Sequence, residues 1–278
     1  MKCGVITSTC NVGNAVGNAS KNRTQPTRNS LARSGFFSGL PKEVGADKVE
    51  PGNVEDALRF LRSCLDDALG GVRQELDDLE RRELAGSLWR DLEHFVRAEA
   101  AAESPLVPRR FEVSFGSERS APELQRGLDL GGFTLSGKID RIDVDPYSTR
   151  GIVQDYKLGQ AHSAQRIDDD RRLQIPLYVL ALRDLVGIEP LGGLYRGLSG
   201  KREARGLLRA GARTDGIPGL AERDYLEEDE FWGQVEQARE RAVESVERIR
   251  SGDVEHDPRW GSCPSWCDLW SMCRVRRS

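Results

Sequence analysis

Apolar residues recur at spacings of three and four along the stretch 54–103, through Leu58, Leu61 and Leu65, then Leu76, Leu79, Leu84 and Leu88, then Leu92, Phe95 and Val96. That period predicts amphipathic helices, divided at Gly70 and Gly71. Beyond Pro105 and Pro108 the period shortens to two. Phe111, Val113 and Phe115 alternate with polar residues over 110–116, and Phe133, Leu135, Ile139 and Ile142 do so over 133–144, so both segments read as half-buried strands. A turn at 146–151 leads into a shorter apolar run, 151–158, which makes a hairpin with the preceding strand. The helical period returns at 173–186, where Pro176 is tolerated only in a first turn, so that helix begins near Arg172 or Leu173. Two further strands, 191–198 and 206–210, flank a basic turn. A long polar helix follows at 229–250, with the stripe Phe231, Val235, Ala238, Ala242, Val246 and Ile249.

These elements describe an α/β protein with a central mixed β-sheet flanked by helices, a helical N-terminal layer and a Cys-rich C-terminal segment. The expected divisions are a low-complexity extension over 1–52, a helical layer over 53–104, the sheet-bearing core over 105–215, and a C-terminal helix with a metal-binding Cys segment over 216–278. The first stretch is rich in Asn, Ser, Thr and Gly and carries no periodicity, so it is not expected to pack as a core element.

Composition narrows the class. With 31% charged residues and no apolar run of 18, the chain is expected to be a soluble cytoplasmic protein with no membrane partner. The net charge of −4 means that any attraction for nucleic acid must be local. Arg109 and Arg110, then Lys201, Arg202, Arg205, Arg209 and Arg213, then Arg274, Arg276 and Arg277 are the available basic groups. Six cysteines in a cytoplasmic chain favour metal chemistry over disulfides. Cys64 falls on an apolar helical stripe, where a small buried side chain is the plain reading.

The hairpin carries the chemistry. Residues two apart in a strand share a face, so Asp155 and Lys157 point together while Tyr156 points away, and antiparallel pairing brings Asp140 or Asp143 beside them. Two such carboxylates repel unless a cation lies between them, and a divalent metal is the usual solution. Asp143 lies three residues from Asp140, hence on the opposite face, where an ion pair with Arg141 or Lys138 is expected.

Four motifs stand in order: Gly-x-x-Asp-Arg-x-Asp at 137–143, Asp-Tyr-Lys at 155–157, Gln-x-x-x-Tyr at 174–178, and Cys-x3-Cys-x5-Cys at 263–273. Together they resemble the RecB-like branch of the PD-(D/E)XK nuclease superfamily, and within it the iron–sulfur forms: AddB-type nuclease domains and CRISPR-associated RecB-like exonucleases. The resemblance implies a restriction-endonuclease-like core and a metal-dependent DNA nuclease, acting as an exonuclease in repair, recombination or foreign-DNA processing. It implies Asp140, Asp155, Lys157, Gln174 and Tyr178 as the catalytic set, with Mg²⁺ or Mn²⁺ held by Asp140, Asp155 and the Tyr156 carbonyl. DNA is the implied substrate, and a helicase or another repair or CRISPR subunit the implied partner; the chain has no Gly-x4-Gly-Lys-Ser/Thr motif and so no ATP motor of its own. The alternative is an inactive DNA-binding or scaffold module of a helicase–nuclease complex.

Glu112 occupies the place of a glutamate common in the family, and pairing with Arg110 is its plain alternative. His94 is compared with the family's upstream histidine, with an ordinary surface position favoured. Cys263, Cys267 and Cys273 suit a 4Fe-4S cluster needing a fourth ligand from Cys10, Cys3 or Cys64, or, with His256, a Cys3His site for Zn²⁺. The resemblance favours the cluster.

Overall fold

The structure is a computed structural model and describes residues 35–70, 77–102, 104–215 and 220–253. Cys3, Cys10, His256 and the three cysteines of the C-terminal motif lie outside the described residues. Three helices come first: α1 (Phe36–Glu43), α2 (Val54–Gly70) and α3 (Asp78–Ala101). The leucine stripe buries Leu58, Leu61, Leu65 and Leu69 on α2, and Leu88, Leu92, Phe95 and Val96 on α3. A capping box starts α3, with the Asp77 carboxylate accepting from the Glu80 N–H at 2.8 Å and the Glu80 carboxylate accepting from the Asp77 N–H at 3.1 Å. No helix among the described residues is long and apolar enough to cross a membrane.

The strands are β1 (Val107–Phe115), β2 (Leu128–Asp129), β3 (Thr134–Leu135), β4 (Gly137–Val144), β5 (Arg150–Lys157), β6 (Glu189–Gly197), β7 (Ala204–Arg209) and β8 (Tyr225–Leu226). Six of them form one mixed sheet in the order β1-β4-β5-β6-β7-β8, in which β5–β6 and β7–β8 are parallel and the other pairs antiparallel. Helices α4 (Ala164–Asp169) and α5 (Gln174–Ala181) connect β5 to β6, and α6 (Glu228–Arg250) closes the described chain. A connection of this kind is what a parallel pair requires. The expected α/β architecture is therefore the one observed.

The sheet has two covered faces. On the front, α4, α5 and α6 enclose Ile142, Val153, Tyr195 and Leu207. On the back, α1 to α3 pack Phe36, Leu61, Leu92 and Phe95 around Tyr156 and Leu198. The extension expected over 1–52 lies mostly outside the described residues; in its described part Phe36, Phe37, Leu40 and Val49 are buried against this cluster. One eight-residue helix offers too few repeats for its period to stand out among glycines and polar residues.

The strand expected over 133–144 is two strands. Thr134 and Leu135 pair with β2, and the chain joins the main sheet only at Gly137. Ser136 marks the transfer, its hydroxyl donating to the Gly116 carbonyl at 2.6 Å. The helix expected over 173–186 is α5 followed by a single π-helical turn, Leu182–Val186, which ends at Gly187 with φ of 72°.

Candidate active site

The hairpin is set by its turn. Asp145 accepts hydrogen bonds from the Tyr147 N–H at 2.8 Å, the Ser148 hydroxyl at 2.7 Å and the Arg150 guanidinium at 3.2 Å, so strand register begins from a braced loop. From there the β4–β5 partners run Val144↔Gly151, Asp143↔Ile152, Ile142↔Val153 and Arg141↔Gln154. One step further, Asp140 stands opposite Asp155, and there the backbone ladder gives way to a side chain: the Tyr156 N–H donates to Asp140 Oδ2 at 3.1 Å. A residue's N–H and C=O leave a strand on the same edge, so the Tyr156 carbonyl faces β4 as well.

Alternation then sorts the rest. Asp155 and Lys157 share the front face, their charged groups 2.6 Å apart, while Tyr156 turns to the back and packs edge-on against Phe95. Both aspartates are almost wholly buried, at 3% and 4% exposure, whereas a third of the Lys157 side chain reaches solvent. Gln174, the first residue of α5, spans the pair. Its Nε2 donates to Asp155 Oδ1 at 2.6 Å and its Oε1 accepts from Lys157 Nζ at 2.8 Å. One turn on, the Tyr178 hydroxyl lies 3.5 Å from Gln174 Nε2 and donates to the Lys138 carbonyl at 2.6 Å, tying α5 to β4. The structure therefore brings Asp140, Asp155, Tyr156, Lys157, Gln174 and Tyr178 together.

Asp143 settles on the back face, as its spacing from Asp140 predicts. Its partners are Arg141, at 2.5 and 2.6 Å, and Gln154 Nε2 at 2.6 Å. Glu112 pairs with Lys138, not with Arg110. Its φ of 53° breaks the alternation of β1, so Phe111 joins the back cluster and Val113 the front one. His94 is exposed on α3 and takes no part in the site. Cys64 lies half-buried on α2, where burial pushes its thiol pKa up and favours the neutral form.

Several site neighbours were not anticipated. Tyr195 pairs with Asp155 across β5–β6 and presents its ring 5.2 Å from Lys157 Nζ. His162 stands edge-on to the same ring, 5.5 Å between centroids. Burial, reinforced by Arg172, lowers the His162 pKa to about 4. Position two before the closing Gly of Gly-Gly-Leu-Tyr-Arg-Gly is the only sequence signal for Tyr195, and a lone histidine in a polar loop offers none.

Among the described residues, four of the basic groups singled out by sequence are engaged in ion pairs. Arg109 meets Asp47 at 2.9 Å, Arg202 meets Asp91 at 2.8 Å, Arg205 forms a buried fork with Asp224, and Arg209 bridges Glu189 and Glu228, each at 2.8 Å. A cavity of about 370 Å³ lies on the back face, away from the carboxylate pair, lined by Lys48, Glu99, Arg141, Asp143, Gln154 and Arg196 among others.

The donor set at Asp140 and Asp155 fits a hard divalent cation. Two carboxylates and one carbonyl are all oxygen donors, with no thiolate or imidazole among them. No group of three His, Cys, Asp or Glu side chains is placed to hold a metal among the described residues, so a cation here would keep several waters, as Mg²⁺ does.

No curated protein matches the chain. The sequence profile of the PD-(D/E)XK nuclease superfamily matches it over residues 40–274, a span that contains the whole carboxylate–lysine–glutamine arrangement. On that match, which covers most of its length, the chain belongs to the PD-(D/E)XK nuclease superfamily.

Proposed function

We propose that this superfamily member is a Mg²⁺- or Mn²⁺-dependent deoxyribonuclease of the RecB-like branch, an exonuclease acting in repair, recombination or the processing of foreign DNA. The observation that carries the reading is the Gln174 carboxamide, which bridges Asp155 and Lys157 next to the Tyr156 N–H that holds Asp140. Asp140, Asp155 and the Tyr156 carbonyl would hold the cation. When bound, it supplies Lewis-acid charge to the scissile phosphate and acidifies its water.

The chain's own residues do the rest. Lys157, partly open to solvent, offers an ammonium that orients the attacking water or meets developing negative charge on the phosphate. Gln174 limits the rotamers of both charged neighbours, and Tyr178 keeps α5 against β4 so that Gln174 stays in reach. A companion helicase would present the strand. On the same reading Cys263, Cys267 and Cys273 ligate a 4Fe-4S cluster, with a Cys3His zinc site as the competing outcome.

Digestion of end-labelled single- and double-stranded DNA, with Mg²⁺, Mn²⁺ or chelator, tests the activity. Cleavage should require the metal, and Asp155→Ala and Lys157→Ala should each abolish it while leaving DNA binding largely intact. Undiminished turnover by either purified variant would sink the assignment.

A further inference from the structure

Asp140 sits at a gap in the sheet. The β4–β5 pairs end at Arg141↔Gln154, and on the other side the β1–β4 pairs pass from Phe111↔Arg141 to Val113↔Ile139 with none at Asp140. Glu112, which faces that gap, has left-handed backbone. Backbone pairs flank Asp140 without including it, and its carboxylate is held to β5 by the Tyr156 N–H, so its place beside Asp155 depends on how closely β4 and β5 are kept together at this end. On the back of the sheet, behind this point, lies a cluster of four charges, of which Arg141 and Asp143 are buried and Glu99 and Arg196 partly so. Glu99 reaches in from α3 and accepts from Arg141 on β4 at 2.7 Å and from Arg196 on β6. Between those two strands runs β5, where Tyr156 pairs with Arg196 and receives a 3.3 Å hydrogen bond on its hydroxyl from Arg141. Arg141 also forks onto Asp143, and its guanidinium lies 4.3 Å from the centroid of the Phe37 ring.

Burying such a cluster is a poor way to gain stability. Desolvating each charge costs several kcal/mol, and apolar replacements of similar volume are often as stable or more so. Burial alone would raise the Glu99 pKa, but Arg141 and Arg196 outweigh it and hold the carboxyl below its usual range, whereas burial prevails at Asp143 and raises its pKa. Its geometry suits registry: one carboxylate grips the strands on either side of the strand that carries Asp155, Tyr156 and Lys157.

We infer that Glu99, with Arg141 and Arg196, is a positioning staple that holds Asp140 against Asp155 from the opposite face of the sheet. The inference rests on the reading of these two aspartates as metal ligands. Groups hydrogen-bonded to a metal's ligands commonly change its affinity by roughly 10–100-fold; Glu99 acts one step further out, through Arg141 and Arg196, and an effect within that range is expected here.

The test is calorimetric titration of the full chain with Mn²⁺, followed by cleavage kinetics. Glu99→Gln keeps the shape of the side chain but cannot neutralise two guanidinium groups. It should weaken Mn²⁺ binding by about 10–100-fold and lower kcat, with little change in KM for DNA. A second variant replaces the whole cluster with apolar residues, Glu99→Leu, Arg141→Met, Asp143→Leu and Arg196→Met. It should keep its thermal midpoint yet show the same loss of Mn²⁺ affinity. Wild-type Mn²⁺ affinity in either folded variant would overturn the staple. So would failure of both variants to fold, since the cluster would then be a determinant of the fold itself. Absence of Mn²⁺ binding by the unaltered chain would overturn the metal-site reading, and the staple with it.

Discussion

Gln174 makes two short hydrogen bonds to groups of opposite charge, and only a carboxamide, with a donor and an acceptor on one sp² centre, can do so at this position. Gln174→Ala frees both neighbours, so cleavage should fall tenfold or more, about 1.4 kcal/mol in the barrier, with the fold retained. Wild-type kinetics in that variant would reduce the bridge to a packing contact. His162 allows a separate prediction at the same scale. Its folded pKa of about 4 lies below the ordinary value of 6.5, so between those values the unfolded chain binds a proton that the folded chain refuses. Stability should therefore be greatest above about pH 6.5, decline as the pH falls toward 4, and draw no further loss from this residue below that. Denaturant titrations at pH 7 and 4.5 should show a smaller drop for His162→Gln than for the unaltered chain.

At the scale of elements, the site depends on how closely α5 lies on the sheet. Gly193 on β6 faces that helix, and a Cβ placed there would stand 2.6 Å from Ile175 Cγ2 and 2.7 Å from Val153 Cγ2. Gly193→Ala must then push α5 outward or distort β5, at a cost of roughly 1–3 kcal/mol. Because Gln174 opens the same helix, a cleavage defect should accompany the lowered thermal midpoint. A stable variant of full activity would show that α5 can shift without moving its first residue. The β4–β5 hairpin is braced differently, at Asp145 near its turn and at Glu99 behind its open end, with paired backbone only between them.

For the molecule as a whole, the ion pairing of Arg109, Arg202, Arg205 and Arg209 changes the electrostatic picture. Those charges tie elements together, and a residue already neutralised by a carboxylate contributes little to attracting phosphates. The cysteine motif would join distant parts of the chain, which leads to a test on intact protein. Anaerobically purified material should be brown, and Cys263→Ser, Cys267→Ser and Cys273→Ser should each bleach it and lower its thermal midpoint, because ligand bonds made only in the folded state contribute directly to folding. A colourless protein with one bound zinc, released by His256→Ala, would decide for the Cys3His site.

The sequence by itself determined most of the elements and the face each residue of the hairpin takes. A period of two places Asp155 with Lys157 and parts Asp140 from Asp143, and a helical turn aligns Gln174 with Tyr178. These relations are local, and backbone geometry alone enforces them. Tertiary structure decided which faces meet. It chose Arg141 over Lys138 as the partner of Asp143, split the strand at Ser136, drew Phe36, Phe37 and Leu40 into the core, and set Tyr195 beneath Lys157 and Glu99 behind Asp140. Such contacts join residues from 2 to 97 positions apart, and most of them depend on packing between elements whose own periodicity carries no record of their partner.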